Sequence, residues 1–248
     1  MSAVRNLFHT LHRNYRQNRY LASVIRSRWF VDRKQTFEQN SIACAWDYTR
    51  QFERERHQQV LARVTERRGL GNWGRVLELG CYSGMFTQEL APRCTTLTAC
   101  DISADACART ASRCAKLPQV QVQQLNIEKD EIAGTYDLVF AMDILSLIFG
   151  RDRLAKVSSK IAAALDTNGL LIVTDCRLDP DLRDAWFRRW VPTGVESIVN
   201  LLAEQLGWRL LHREFHPRSG EDAGPHYMAH VIALLEKPTA TVGAKSYE

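Results

Sequence analysis

From residue 75 onward, short apolar runs alternate with segments whose apolar residues recur every three or four positions. The short runs read as strands over Arg75–Leu79, Thr96–Asp101, Val120–Leu125, Tyr136–Ala141 and Leu170–Asp175. Between them the helical repeat predicts Met85–Ala91, with Pro92 just past its end, Ala104–Ala115 with Ser103 as N-cap, and Leu154–Leu165, which stops before Asn168-Gly169. Strands separated by helices of about ten residues predict right-handed βαβ units and a parallel sheet. A Trp- and Arg-rich connection over 177–192 leads into a helix at Val195–Leu206. Two closing strands follow, Trp208–Phe215 and Met228–Glu236, and the polar loop between them is short for a parallel crossover, so they pair antiparallel. The expected class is α/β, a doubly wound seven-stranded sheet with its last strand antiparallel.

The first 74 residues have a different pattern. Leu7, Phe8, Leu11 and Tyr15, then Leu21, Val24, Ile25 and Trp29, recur at helical spacing with arginines between them, which predicts one or two amphipathic helices over 4–30. Trp46 to Thr65 reads as a further helix (apolar Trp46, Phe52, Val60, Leu61 and Val64), broken by Arg68, Gly69 and Gly71. The expected organisation is a basic helical extension over 1–43, one domain over 44–237 and a disordered tail over 238–248.

Composition narrows the class. Hydrophobic residues make up 45% and charged residues 25%, which is ordinary for a globular chain and argues against wholesale disorder. No stretch approaches the roughly 20 apolar residues needed to cross a bilayer, and the start lacks the pattern of a secretory signal, so a cytoplasmic location is expected. The seven cysteines include no C-x-x-C pair, and a zinc site would need tighter spacing, so buried reduced thiols and no metal are expected. Charge is uneven. Residues 1–40 hold eight Lys or Arg against two acids, a net of +6, whereas the whole chain carries +5. For this arm three roles compete: a membrane-surface or nucleic-acid contact over residues 1–34, a cap over the active site, or a mitochondrial presequence. A packed helix with a solvated basic face explains the same residues.

In a doubly wound sheet, ligands bind beyond the carboxyl ends of the strands. The first strand ends in Glu78-Leu79-Gly80-Cys81-Tyr82-Ser83-Gly84, where two glycines permit a tight turn and close approach of backbone to ligand. Asp101 closes the second strand, where a carboxylate accepts both hydroxyls of a ribose. The third ends at Leu125-Asn126-Ile127, suited to bracketing an adenine, and the fourth at Met142-Asp143-Ile144. Asp137 reads as a strand-opening residue. Asp143 reads equally as a cofactor or substrate contact and as a structural cap.

The stretch V-L-E-L-G-C-Y-S-G, with D-I-S at 101–103, Y-D-L-V-F at 136–140 and N-G-L-L-I-V at 168–173, resembles the class I S-adenosylmethionine methyltransferases, over roughly residues 44–236. More narrowly, W-D-Y, L-G-C-x-x-G, L-A-P-R-C and D-I-S-A-D-A resemble the nodulation N-methyltransferases, the NodS-like group, mainly over 46–110. The resemblance implies a Rossmann-like methyltransferase fold and S-adenosyl-L-methionine as cofactor. It places Glu78, Gly80 and Gly84 at the methionine portion, Asp101 at the ribose, and Asn126 with Ile127 at the adenine, with Cys81 and Ile102 also among the cofactor contacts. Tyr82 departs from the family, which commonly has a small residue there, so its side chain must turn away from the cofactor or form its wall.

Methyl transfer from a sulfonium has a neutral leaving group, so in-line positioning supplies much of the rate. An amine acceptor must also lose a proton, which a carboxylate or histidine promotes. The expected catalytic residues are Asp143 and His226, with Tyr48, His216 and Tyr227 toward the substrate. His212 and His230, inside the last two strands, read as packed or surface residues. Trp186, Phe187 and Trp190, interleaved with Arg183, Arg188 and Arg189, form either a lid or a core-facing stripe. The implied reaction is methylation of N, or of O, on a small or carbohydrate-like acceptor. An RNA methyltransferase gripping phosphates with its basic arm is the alternative, although A-M-D-I-L-S after the fourth strand lacks an N-P-P-Y-type tetrad. A non-catalytic binding module is another, and the absence of G-x-G-x-x-G argues against a nicotinamide-dependent reductase.

Overall fold

The computed structural model describes residues 6, 8–15, 17–19, 21–22, 25, 51–176, 185–189, 194–216 and 230–238. The central strands are near-continuous apolar runs because both of their faces are covered. The parallel strands are β1 (Arg75–Leu79), β2 (Thr96–Asp101), β4 (Tyr136–Met142) and β5 (Leu165–Cys176), with β3 (Val120–Gln124) at the edge, where valine alternates with exposed glutamine. With β6 (Arg209–His216) and β7 (His230–Glu236) they form one seven-stranded sheet in the order β3-β2-β1-β4-β5-β7-β6. The first five strands are parallel, and β7 runs antiparallel to both β5 and β6. Strand order reverses between β1 and β4, which sets the ligand crevice at their carboxyl ends.

Alternate residues feed two cores. Val76, Leu138, Phe140 and Ile172 meet Val60, Leu61 and Val64 of α1 (Gln51–Arg68) and Phe86 and Leu90 of α2 (Met85–Leu90). Leu77, Val139, Leu171 and Val173 meet Leu154, Val157 and Ile161 of α4 (Arg151–Ala164) and Val195, Ile198 and Val199 of α5 (Val195–Asn200). Helix α3 (Ala104–Arg113) starts at Ser103, whose side chain accepts from the Ala106 N–H as expected of an N-cap.

Several boundaries move for local reasons. α2 gives way at Ala91 to a 3-10 turn that holds Pro92 in its first positions, where a missing N–H costs nothing. α3 ends at Arg113, before Ala115, because Cys114 leaves helical geometry. α4 begins three residues before Leu154, since Gly150 at φ 95° makes the turn into it and accepts from the Leu154 N–H. β5 opens at Leu165, five residues before Leu170, and a register shift against β4 absorbs the residues between. α5 continues as a π turn over Leu201–Gln205, and Trp208 ties the start of β6 to α4 by donating to Ser158 Oγ at 2.7 Å. Asp137 accepts from the Arg75 N–H at 2.7 Å and fastens the start of β1. Among the described residues no helix is long and apolar enough to cross a membrane. The expected tail over 239–248 lies outside the described residues, as does most of the connection 177–192.

Candidate active site

The turn after β1 is hooked onto β2: Gly80 and Cys81 both donate to the Cys100 carbonyl, at 2.7 and 2.9 Å. At Gly84, φ is +74° and a Cβ would lie 2.9 Å from Thr110 Cα, so only glycine lets the turn reach α3. Glu78 is buried, and its Oε2 has no hydrogen-bond partner among the described residues. Burial pushes its carboxyl up to about 7, with the Asp101 charge adding to the rise and the Thr87 hydroxyl opposing it. Asp101 accepts from Tyr82 N–H at 3.0 Å and from Ser103 N–H at 2.9 Å, one bond per oxygen, which leaves each oxygen acceptor capacity. Burial raises the Asp101 pKa, against those two hydrogen bonds and the nearby Arg109 charge.

A buried carboxylate oxygen without a donor and a second carboxylate with lone pairs to spare flank a turn kept clear of Cβ atoms. That donor and acceptor set fits a ligand carrying an ammonium and a ribose. Cys81 is buried in the turn, its thiol driven far above the ordinary range by burial and by Glu78. Ile102 is half-buried and its carbonyl accepts from Gln124. Asn126 spends its side-chain carbonyl capping a turn, accepting from Glu128 and Lys129 N–H at 3.1 and 3.3 Å, so its NH₂ is the group left to face a base. Ile127 packs on the edge of the core.

Tyr82 adopts φ 48°, and the Arg109 guanidinium lies 5.6 Å from its ring centroid, so the ring is drawn toward α3. A left-handed non-glycine residue costs about 1–2 kcal/mol, and a cation–π contact at a half-exposed site returns about 0.5–1 kcal/mol. The Tyr82→Gly variant is therefore expected to stay within about 1 kcal/mol of wild type in chemical denaturation. It should also hold the cofactor about as tightly in titration calorimetry. A large loss of affinity would show that the ring is a wall of the pocket.

The second half of the site is a buried ionic cluster where β4, β5 and β7 meet α1. Arg56 is fully buried. Its guanidinium reaches Glu53 Oε2 at 2.6 Å, Asp143 Oδ2 at 2.8 Å and Thr174 Oγ1 at 3.1 Å. Asp143 follows β4 at φ 55°, held by its N–H to the Thr174 carbonyl at 2.8 Å. Its Oδ1 lies 3.4 Å from His230 Nε2. Burial would raise the Asp143 pKa, but the Arg56 charge and the nearby His230 imidazole overrule it and hold the carboxyl well below the usual range. Burial and the Arg56 charge lower the His230 pKa, so the imidazole is neutral near pH 7. His216 ends β6 in register with His230, packs on Phe52 with ring centroids 4.6 Å apart, and places Nε2 3.4 Å from the Phe52 carbonyl.

Of the residues expected at the acceptor, Asp143 and His216 are thus drawn together, both buried rather than open. Tyr48, Trp46, His226, Tyr227 and Trp190 lie outside the described residues. Phe187 is buried and Trp186 is 64% exposed, so the two are split between core and solvent. The periodicity missed Glu53, Arg56 and His230. His230 was legible in one way: the first residue of an antiparallel last strand lies at the same edge as the last residues of the parallel ones. Arg56 sits in the run Glu53-Arg54-Glu55-Arg56-His57, which reads as a solvated face.

Known proteins resemble this chain in sequence and in fold. The family model for Nodulation protein S (NodS) matches residues 33–226. A nodulation protein S of Bradyrhizobium diazoefficiens is 30% identical over 159 residues, 64% of this chain and 72% of that protein. One from Rhizobium tropici is 28% identical over 156 residues, and the chain spans 62% of that relative's length. The crystal structure of the N-methyltransferase NodS from Bradyrhizobium japonicum WM9 in complex with S-adenosyl-L-homocysteine superposes with a TM-score of 0.62 at 26% identity, covering 76% of this chain and 89% of that one. An S-adenosylmethionine-dependent methyltransferase from Clostridium acetobutylicum, at 13% identity and a TM-score of 0.60, shares the fold. With the switch-point crevice, the glycine turn and the paired carboxylates in place, the chain belongs to the nodulation protein S family and has the Rossmann-like fold of S-adenosylmethionine-dependent methyltransferases.

Proposed function

We propose that this chain is an S-adenosylmethionine-dependent methyltransferase that methylates a nitrogen of a small, carbohydrate-like acceptor, with His230 receiving the proton the acceptor sheds. The observation that carries this reading is the juxtaposition of Asp143 and His230 at the sheet edge that also bears Glu78 and Asp101. The cofactor supplies an electrophilic methyl group. Glu78 would hold its ammonium, Asp101 and Ile102 its ribose, and Asn126 with Ile127 its adenine, while Gly80 and Gly84 let the backbone come close.

Asp143 is a weak base, because Arg56 keeps it ionised and occupies one of its oxygens. Its part is to orient His230: with the Nε2 proton directed at Asp143, Nδ1 carries the lone pair. The carboxylate also stabilises the imidazolium that forms when Nδ1 takes a proton. Neutral His230, rather than charged Asp143, is thus the base within the described residues, and Asp143 acts as a positioning residue. His216, Tyr48, His226 and Tyr227 remain the substrate-facing candidates. His226 is the alternative base.

An amine of pKa about 8 is only about one-tenth neutral at pH 7. Loss of the base should therefore matter most near neutrality. His230→Gln is expected to reduce turnover about tenfold at pH 7, at the low end for general-base catalysis, and to approach wild type above pH 9 with cofactor binding intact. A labelled-cofactor assay on amines, amino sugars and plain sugars reads both the acceptor class and this pH profile. Turnover on hydroxyl acceptors alone, or a deficit that does not change with pH, would overturn the assignment.

A further inference from the structure

We propose that the N-terminal helix is a docking element for anionic lipid surfaces. This helix lies within residues 1–32, outside the stretch matched by the family model. All described residues between 6 and 25 are helical. Phe8, Leu11, Tyr15 and Ile25 are 68%, 55%, 58% and 55% exposed. On the unbroken described stretch 8–15, at 3.6 residues per turn, Phe8, Leu11 and Tyr15 fall within an arc of about 60°. Gln17, on the opposite side of the helix about 180° from Phe8, is buried, while its described neighbours on the helix are exposed or, at Leu21, half-buried. The helix therefore turns a polar position inward and its apolar stripe outward, the reverse of a helix that serves a core.

The charge pattern selects the occupant. His9, His12, Arg13 and Arg19 are all exposed. His12 and Arg19 border the stripe, about 40° and 20° past Phe8, while His9 and Arg13 lie farther round, about 100° and 140° past it. The Arg19 guanidinium lies over the Tyr15 ring at 5.9 Å. Residues 1–40 carry a net charge of +6, eight basic against two acidic. Phosphate recognition along a nucleic acid uses the cations and gives no reason to expose Phe8 and Leu11. A second copy of the same helix would bring like charges together. An interface with acyl chains below and anionic headgroups beside it satisfies the stripe and the flank at once.

The test is co-sedimentation of the full chain with vesicles of phosphatidylcholine alone, and with vesicles of phosphatidylcholine and phosphatidylglycerol in a three-to-one mixture. Binding to the mixed vesicles is expected, with weak binding to the neutral ones. Phe8→Ser with Leu11→Ser should lower the partition coefficient at least about tenfold. Arg13→Gln and Arg19→Gln should each lower it about fivefold, an effect that added salt reproduces. Both pairs are exposed and distant in sequence from the crevice, so heat of cofactor binding should be unchanged, which separates this result from the fate of the proposed activity. Failure to bind the mixed vesicles, or equal binding by the serine variant, overturns the proposal. So does capture of RNA in preference to vesicles, or a dimer in light scattering that the serine substitutions dissolve.

Discussion

Arg56→Met is expected to lose about 3–5 kcal/mol of folding stability at neutral pH, the cost of leaving buried carboxylates without their cation. The guanidinium is fully buried and touches Glu53, Asp143 and Thr174. Methionine fills much of the volume and answers none of the charges. In the wild type Asp143 has its pKa lowered below the ordinary 3.8, so it contributes stability above that value and loses it as pH falls further. His230 and His216, lowered from 6.5, contribute stability that is present above 6.5 and fades on acidification. In the variant the sign for Asp143 reverses: without Arg56, burial dominates and the carboxyl prefers its proton. The deficit in urea denaturation should therefore be largest at pH 7.5 and shrink at pH 5. Arg56→Met with Asp143→Leu should recover part of the loss, because the second change removes the stranded charge. A deficit independent of pH and additive with Asp143→Leu would mean that Arg56 acts through packing alone.

Glu78→Gln is expected to move stability and cofactor affinity in opposite directions. The Glu78 carboxyl ionises near 4.5 when unfolded and about 7 when folded. A raised pKa contributes stability in full below 4.5, and that contribution is lost as pH rises through about 7. Ionised and buried at pH 8, Glu78 costs the free chain on the order of 3 kcal/mol. Glutamine has no such ionisation, so the variant should melt higher than wild type at pH 8 and at nearly the same temperature at pH 5. Its affinity for S-adenosylmethionine should fall by about 1.5–3 kcal/mol, the worth of a charged hydrogen bond to a cationic group. Wild-type affinity should also rise with pH up to about 7 and then level off, because the cofactor's ammonium requires the carboxylate. Thermal melts and calorimetric titrations across pH 6–8 check both halves. Unchanged affinity at pH 8 would remove Glu78 from the cofactor site.

The parallel sheet and its antiparallel last strand were legible because period and loop length report on backbone geometry, whereas the order of the strands was not. Arg75–Leu79 and Thr96–Asp101 coincide with β1 and β2 to the residue. The glycine turn and the carboxylate closing β2 were legible for a related reason, since a turn at positive φ leaves a local trace in residue type. The Glu53–Arg56–Asp143–His230 cluster left none. Its members are separated by up to 177 residues in sequence and become neighbours only when α1 is laid over the ends of β4, β5 and β7. Arg56 and His57 are buried in a helix whose sequence, E-R-E-R-H, has the composition of a surface. Partnered charges can be buried where single ones cannot, and composition does not show the partners.

The position of β7 bears on when the site comes into being during synthesis. β6 is made before β7 but has no other neighbour in the sheet, so it waits for a strand that is still to be translated. His230, the first residue of that strand, reaches Asp143 only as β7 slots between β5 and β6. A chain that stops before residue 230 lacks the proposed proton acceptor. That acceptor is thus set in place by the pairing of β7, after every other described strand of the sheet has been made.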